Sequence, residues 1–408
     1  MEVVLMSGDR IASVRREASG LWAGGTGKLL IVIACGWGLL NGTRMIYPVL
    51  LPYLSAEFDL TLTTAGLLVT LIWLGYAIGQ VPSGVLADRR GERAVLTAGV
   101  AIVAVSLVLV VFAPSAFALF VATGFVGLGL SLYPVARITV LSDMYPDRIG
   151  RALGVTMAMG DIGQTVLPPV AAAIAAAVAW QAGLGFIVPP LLAVVLALWV
   201  TLPAGTTTPG DESVDDGPNG IGEALATLRH PTLLTMGIIL FLYIGTLQTF
   251  SAFYPIYLTD QKGLSSTAAS VLFGLFFAIG VVAKPLAGTA YDRIGIRRSL
   301  PIVLAGAVVG FAILPLVERL VSLVAVTVLI STMLGSGAIT QSYLSDTIPA
   351  EIQGTGLGLI RSSAAMLGAT GPVLFGAVAD RGYFNEAYFV LAALVGAITL
   401  LTLRLPRE

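Results

Sequence analysis

Charge is scarce in this chain. Of its 408 residues, 22 are Lys or Arg and 23 are Asp or Glu, so 11% are charged against 57% hydrophobic. Soluble domains carry about a quarter charged residues, so a water-exposed globule is excluded. Cysteine is nearly absent. Cys35 stands alone, which rules out a disulfide framework or a cysteine-built metal site within the chain. Histidine is reduced to His230, beside Pro231, and reads as a residue at a membrane interface. No Ser/His/Asp set or metal cluster is visible, so neither enzymatic chemistry nor a bound cofactor or metal is expected. The stretch "GGTGK" (24–28) resembles a phosphate loop only in part. Trp22 stands where that loop needs glycine, and Leu29 stands where Ser or Thr would hold Mg²⁺. An ATP-driven pump is therefore not expected.

What the chain has instead is long apolar runs, with a mean hydropathy of +0.93. Each run is long enough to cross a hydrocarbon core of about 30 Å at about 1.5 Å per residue. They do not alternate with period two, which excludes a β-barrel. The reading is an all-α membrane protein with twelve spans, near 29–54, 62–86, 93–113, 115–141, 149–173, 182–202, 232–258, 266–288, 298–316, 320–344, 352–378 and 387–404. The segment 203–231 is rich in Gly, Pro, Thr and Asp, cannot build a core, and reads as a linker. It separates two six-helix units, 29–202 and 232–408, behind a short N-terminal segment, 1–28. That segment has no apolar signal-like core, so no cleaved signal peptide is expected.

Lys and Arg set the orientation. With the N-terminus and the linker in the cytoplasm, fifteen cations fall in cytoplasmic segments and three (Lys262, Arg319 and Arg381) in external loops. Four remain inside spans: Arg44, Arg137, Lys284 and Arg361. Both termini are expected inside, in a cell or inner membrane.

One polar knot recurs. "GVLADRRGER" (84–93) returns as "GTAYDRIGIRR" (288–298), with Gly84, Asp88, Arg89, Gly91 and Arg93 matching Gly288, Asp292, Arg293, Gly295 and Arg297 at an offset of 204. An offset of half the chain implies two six-helix halves related by duplication, with a cavity between them. Read physically, Gly84 permits close helix contact and Asp88 accepts hydrogen bonds at a neighbouring helix N-terminus. The knot is then a latch for one conformation. "GVLADRRGER" resembles the loop 2–3 signature of the major facilitator superfamily, and the twelve spans, the central linker and the second copy agree with it. The resemblance implies transport by rocking of the two halves.

Charges inside a membrane are costly, so each is a candidate for function. Arg44 and Arg361 lie deepest. Lys284 lies closer to an end, and Arg137, six residues before Asp143, is near enough to an end to snorkel. Asp161 is the one acid at comparable depth. This excess of positive charge favours an anion. "RMIYPVLLPYLSAEFDL" with "LIWLGYAIGQVPSGVLADRRG" resembles the organic-anion symporter branch of the superfamily, which has an arginine at the position of Arg44 and a tyrosine at Tyr76. Thr43 departs from the acid of that branch, as do Thr123 and Leu130 from its Arg and Glu. "AKPLAGTAYDR" resembles span 8 of monocarboxylate and oxalate transporters. The expected substrate is a small organic anion bound by Arg44, Tyr76, Lys284 and Arg361, with Asp161 as the candidate for a coupling proton. An exchanged anion would need no such acid. A proton-coupled drug or metabolite exporter, or a transporter-like sensor, remains an alternative. The expected partners are that solute, the proton or exchanged anion, and the lipid bilayer, with no nucleic acid. A monomer is expected.

Overall fold

A computed structural model of the chain describes residues 26–203, 230–349 and 353–406. The expected N-terminal segment and linker fall almost wholly outside the described residues. All regular structure among the described residues is helical. The first half comprises α1 (Thr26–Phe58), α2 (Leu62–Arg90), α3 (Glu92–Val111), α4 (Ala116–Ser131), α5 (Tyr133–Met144), α6 (Ile149–Ala177), α7 (Trp180–Gly185) and α8 (Val188–Thr201). The second comprises α9 (Pro231–Asp260), α10 (Ser266–Ile294), α11 (Ile296–Ile313), α12 (Leu320–Ser331), α13 (Ser336–Thr347), α14 (Gln353–Gly368), α15 (Gly371–Ala379) and α16 (Phe384–Thr402). Spans four, six, ten and eleven of the sequence reading are each built from two consecutive helices.

Eleven spans are long and apolar enough to cross a membrane. The remaining helix, α6, is 29 residues long but interrupts its apolar run with Asp161, Gln164, Pro168 and Pro169. Its polarity has a place to go, because α6 packs on α1 of its own half and on α10 of the other. The α1–α6 contact is backbone to backbone. A Cβ on Gly163 would lie 2.0 Å from the Gly38 carbonyl oxygen, so only glycine permits this approach. In the second half, Phe250, Tyr254, Tyr257 and Tyr388 are fully buried. Phe250 and Tyr254 stack at 4.5 Å, and the Tyr254 hydroxyl pairs with Thr327 at 2.5 Å. These rings fix one face of α9 into its own half.

The polar knots are helical rather than looped, which differs from the sequence expectation. Helix α2 runs through Arg90 and α10 through Ile294, and only Gly91 and Gly295 break them. Both glycines have positive φ, 79° and 66°, and both donate their backbone N–H to the residue four back, Ala87 and Tyr291, at 2.8 Å. A side chain at either position would be strained. These two breaks mark one end of the molecule, called here the break end. The opposite end carries the α1–α2 and α15–α16 turns.

The two halves meet at that opposite end. There α2 packs on α15, and a Cβ on Gly66 or Gly376 would lie 2.4 Å or 2.3 Å from a backbone oxygen across the interface, of Pro372 or Leu62. The Thr70 hydroxyl donates to the Ala369 carbonyl at 2.6 Å. At the break end the corresponding surfaces are apart. A Cβ at Gly84, Gly154, Gly288 or Gly358 would meet nothing within 4 Å. The close contact expected at Gly84 is therefore not made in this conformation.

Candidate functional site

Arg44 sits midway along α1. Its guanidinium lies 4.2 Å from the Trp73 ring centroid and 5.5 Å from that of Tyr76, both on α2. One NH₂ group donates to Asn41 Oδ1 at 2.9 Å, and Asn41 in turn donates to the Trp37 carbonyl at 2.8 Å. Its Nε is enclosed without a partner. The cation is thus held by two aromatic faces and one amide, and no carboxylate among the described residues pairs with it. Cation–π contact lowers the cost of a buried charge but does not neutralise it.

Arg137 on α5 is 5% exposed and does not snorkel. It lies over the Trp37 ring at 3.9 Å and donates to the Thr156 hydroxyl on α6 at 2.9 Å. Its position near an end leaves snorkelling open, and the packing decides against it. The sequence had no signal for this, because Trp37 and Thr156 meet Arg137 only through the packing of α1, α5 and α6.

Lys284 and Asp161, one from each half, form an ion pair at 2.5 Å, with side chains 36% and 17% exposed. Arg361 is exposed and donates to Gln341. The four residues read as ligands therefore separate into two groups. Arg44 and Tyr76 stand together, while Lys284 and Arg361 each have a partner on a different element.

The knot residues also divide. Arg93 stacks on Trp199 of α8 at 4.2 Å, and Arg297 donates to the Leu403 carbonyl, just past α16, at 2.5 Å. Positions 93 and 297, and 199 and 403, share the offset of 204. Each arginine thus ties the third helical span of its half to the sixth. Arg89, Asp292 and Arg293 are exposed. The Asp88 side chain lies outside the described residues.

The chemistry expected of Asp88 occurs at the opposite end with another residue. The Asp380 carboxylate, just past α15, accepts the Leu62 and Thr63 backbone N–H groups at 2.8 Å each, and the Thr63 hydroxyl at 2.5 Å. An acid from one half thus caps the first turn of α2 in the other, where the helix dipole favours an anion. Burial pushes the carboxyl up. The bonds from Thr63, Leu62 and Thr61 outweigh this and hold it below the usual carboxylate range.

Comparison with known proteins places this geometry in a family. Residues 32–372 match the family model of the Major Facilitator Superfamily. The hexuronate transporter of Bacillus subtilis (strain 168) is 26% identical over 390 residues, covering 87% of this chain and 89% of that one. The fosmidomycin resistance protein of Escherichia coli (strain K12) is 26% identical, covering 87% of each. Among solved structures, a D-xylose–proton symporter superposes with a TM-score of 0.76 at 16% identity, over 93% of this chain and 98% of that one.

Proposed function

The chain belongs to the major facilitator superfamily, and from that premise we propose that it is a secondary transporter of a small organic anion, a carboxylate, working by alternating access. The observation that carries the reading is Arg44. It is a cation deep in a span, caged by Trp73, Tyr76 and Asn41, with no acid beside it among the described residues. A planar guanidinium meets a carboxylate with two parallel hydrogen bonds, and Tyr76 adds a neutral hydroxyl. The similarity to a hexuronate transporter supports the same class of solute.

The open break end admits the anion toward Arg44. Closing that end brings the second half down on the bound solute, with Lys284 and Arg361 as its cations. An anion drawing Lys284 competes with Asp161 for it. Asp161, released, is the group that takes a coupling proton, whereas an exchanger would leave the pair intact. The fifteen-to-three cation bias supports a break end in the cytoplasm, and with that orientation the conformation described is open inward. Gly84, Asp88 and Arg89, with Gly288, Asp292 and Arg293, then act as a latch when the break end closes. The exporter reading has one observation in its favour, the match to a drug-resistance protein, and the test includes its solutes.

Purified protein is melted in the presence of carboxylates, sugar acids, inorganic anions and lipophilic cations. The proposal expects stabilisation by one or more carboxylates, lost in Arg44→Ala. Lipophilic cations as the only stabilising solutes would overturn it.

A further inference from the structure

Arg44 is not the only uncompensated cation in the first half. Arg137 is 5% exposed, its Nε has no partner, and its remaining contacts are a hydroxyl and an indole face. No carboxylate among the described residues pairs with it. Its seat is built rather than incidental. Trp37 stacks at 6.3 Å and 18° on Tyr133, whose hydroxyl donates to the Ile33 carbonyl at 3.0 Å. Behind the indole, Gly160 leaves the space, since a Cβ there would lie 2.7 Å from Trp37 Nε1.

The two arginines belong to one surface. Trp37, Asn41 and Arg44 recur at four and then three residues along α1, which puts them on one face. The seven residues from Trp37 to Arg44 advance about 10 Å along the helix. Arg137 rests on the first of these residues, and Arg44 is the last. The Tyr76 ring centroid lies 5.5 Å from the Arg44 guanidinium. Arg137 is on the break-end side of Arg44, because α1 begins at that end and α5 finishes there. Two positive charges along one aromatic-lined face repel each other, and a single carboxylate neutralises one of them.

We infer that the transported solute carries two anionic groups on a short carbon skeleton, one taken by Arg44 and the other by Arg137. This rests on the organic-anion reading and narrows it to dianions. Each added charge-assisted pair in a dry site discriminates by about 1.5–3 kcal/mol, which corresponds to tenfold or more in affinity.

The test is calorimetric titration of the full-length protein with matched pairs at neutral pH: malonate against propionate, succinate against butyrate, glutarate against pentanoate. Wild type is expected to bind at least one dicarboxylate tenfold or more tightly than its monocarboxylate partner. Arg137→Gln should erase that preference, while Arg44→Gln should lose binding of both members of a pair. Thr156→Val removes only the hydroxyl that orients Arg137, and should reduce the preference in the same direction if Arg137→Gln does not fold. A preference that survives in a folded Arg137→Gln protein overturns the inference. Equal wild-type affinity for both members of every pair overturns it too, while leaving the anion reading standing. No binding of any carboxylate overturns both.

Discussion

At the scale of single residues, the molecule sorts its intramembrane charges into paired and unpaired. Lys284 and Asp161 bond across the two halves at 2.5 Å, whereas Arg44 and Arg137 rest on aromatic rings and neutral side chains. A paired charge that loses its partner becomes a desolvated liability, while removing both partners together costs far less. Asp161→Asn and Lys284→Gln should therefore each lower the melting temperature, and the double variant should melt higher than the sum of the single losses predicts. That coupling is expected at about 1–3 kcal/mol. Strict additivity in a thermal melt would mean that the contact contributes nothing. Depth along the helix made Arg44 legible in the sequence, because position alone tells how far a charge lies from the nearest end. Asp161 was legible as the lone deep acid, though not its choice of partner. Arg137 stayed open in the sequence, because its distance from the end permits snorkelling and only tertiary packing, through Trp37 and Thr156, prevents it.

At the scale of elements, the helices were almost fully legible. Apolar runs mark eleven of the twelve expected spans among the described residues, the polar α6 being the exception, and the end residues shift by only a few positions. The knots were not legible as helix, since five charges in ten residues look like a loop. Charge does not break a helix, however, and glycine with positive φ does, at Gly91 and Gly295. The repeat also concealed Asp380, which has no counterpart in the knot pattern yet caps α2 across the halves. Because its carboxyl is held below the usual range, this tie is at full strength above the ordinary carboxylate pKa. It is lost only as pH falls through the depressed value. Spin labels at Glu57→Cys and Glu386→Cys, in a Cys35→Ser background, report the separation of the halves at that end. Asp380→Ala should raise the population at longer distance at pH 7, and acidification of the parent protein to about pH 5 should leave it closed. An unchanged distance distribution in Asp380→Ala would show that the cap does not hold this end shut.

At the scale of the whole molecule, the two halves are joined at one end. Close backbone contacts shut one end, at Gly66 with Pro372 and Gly376 with Leu62. At the other end Gly84 and Gly288 face open space. By the repeat offset, the positions that correspond to Arg44 are Leu247 and Gln248, both neutral, and in the proposed mechanism the N-terminal half supplies the anion seat on which the C-terminal half closes. The most direct measurement is uptake of the stabilising carboxylate into proteoliposomes, with wild type and Arg44→Gln reconstituted at equal density and checked for folding. The account predicts saturable uptake by wild type and none above protein-free liposomes for Arg44→Gln. Wild-type uptake by a folded Arg44→Gln protein, or transport of lipophilic cations alone, would contradict it.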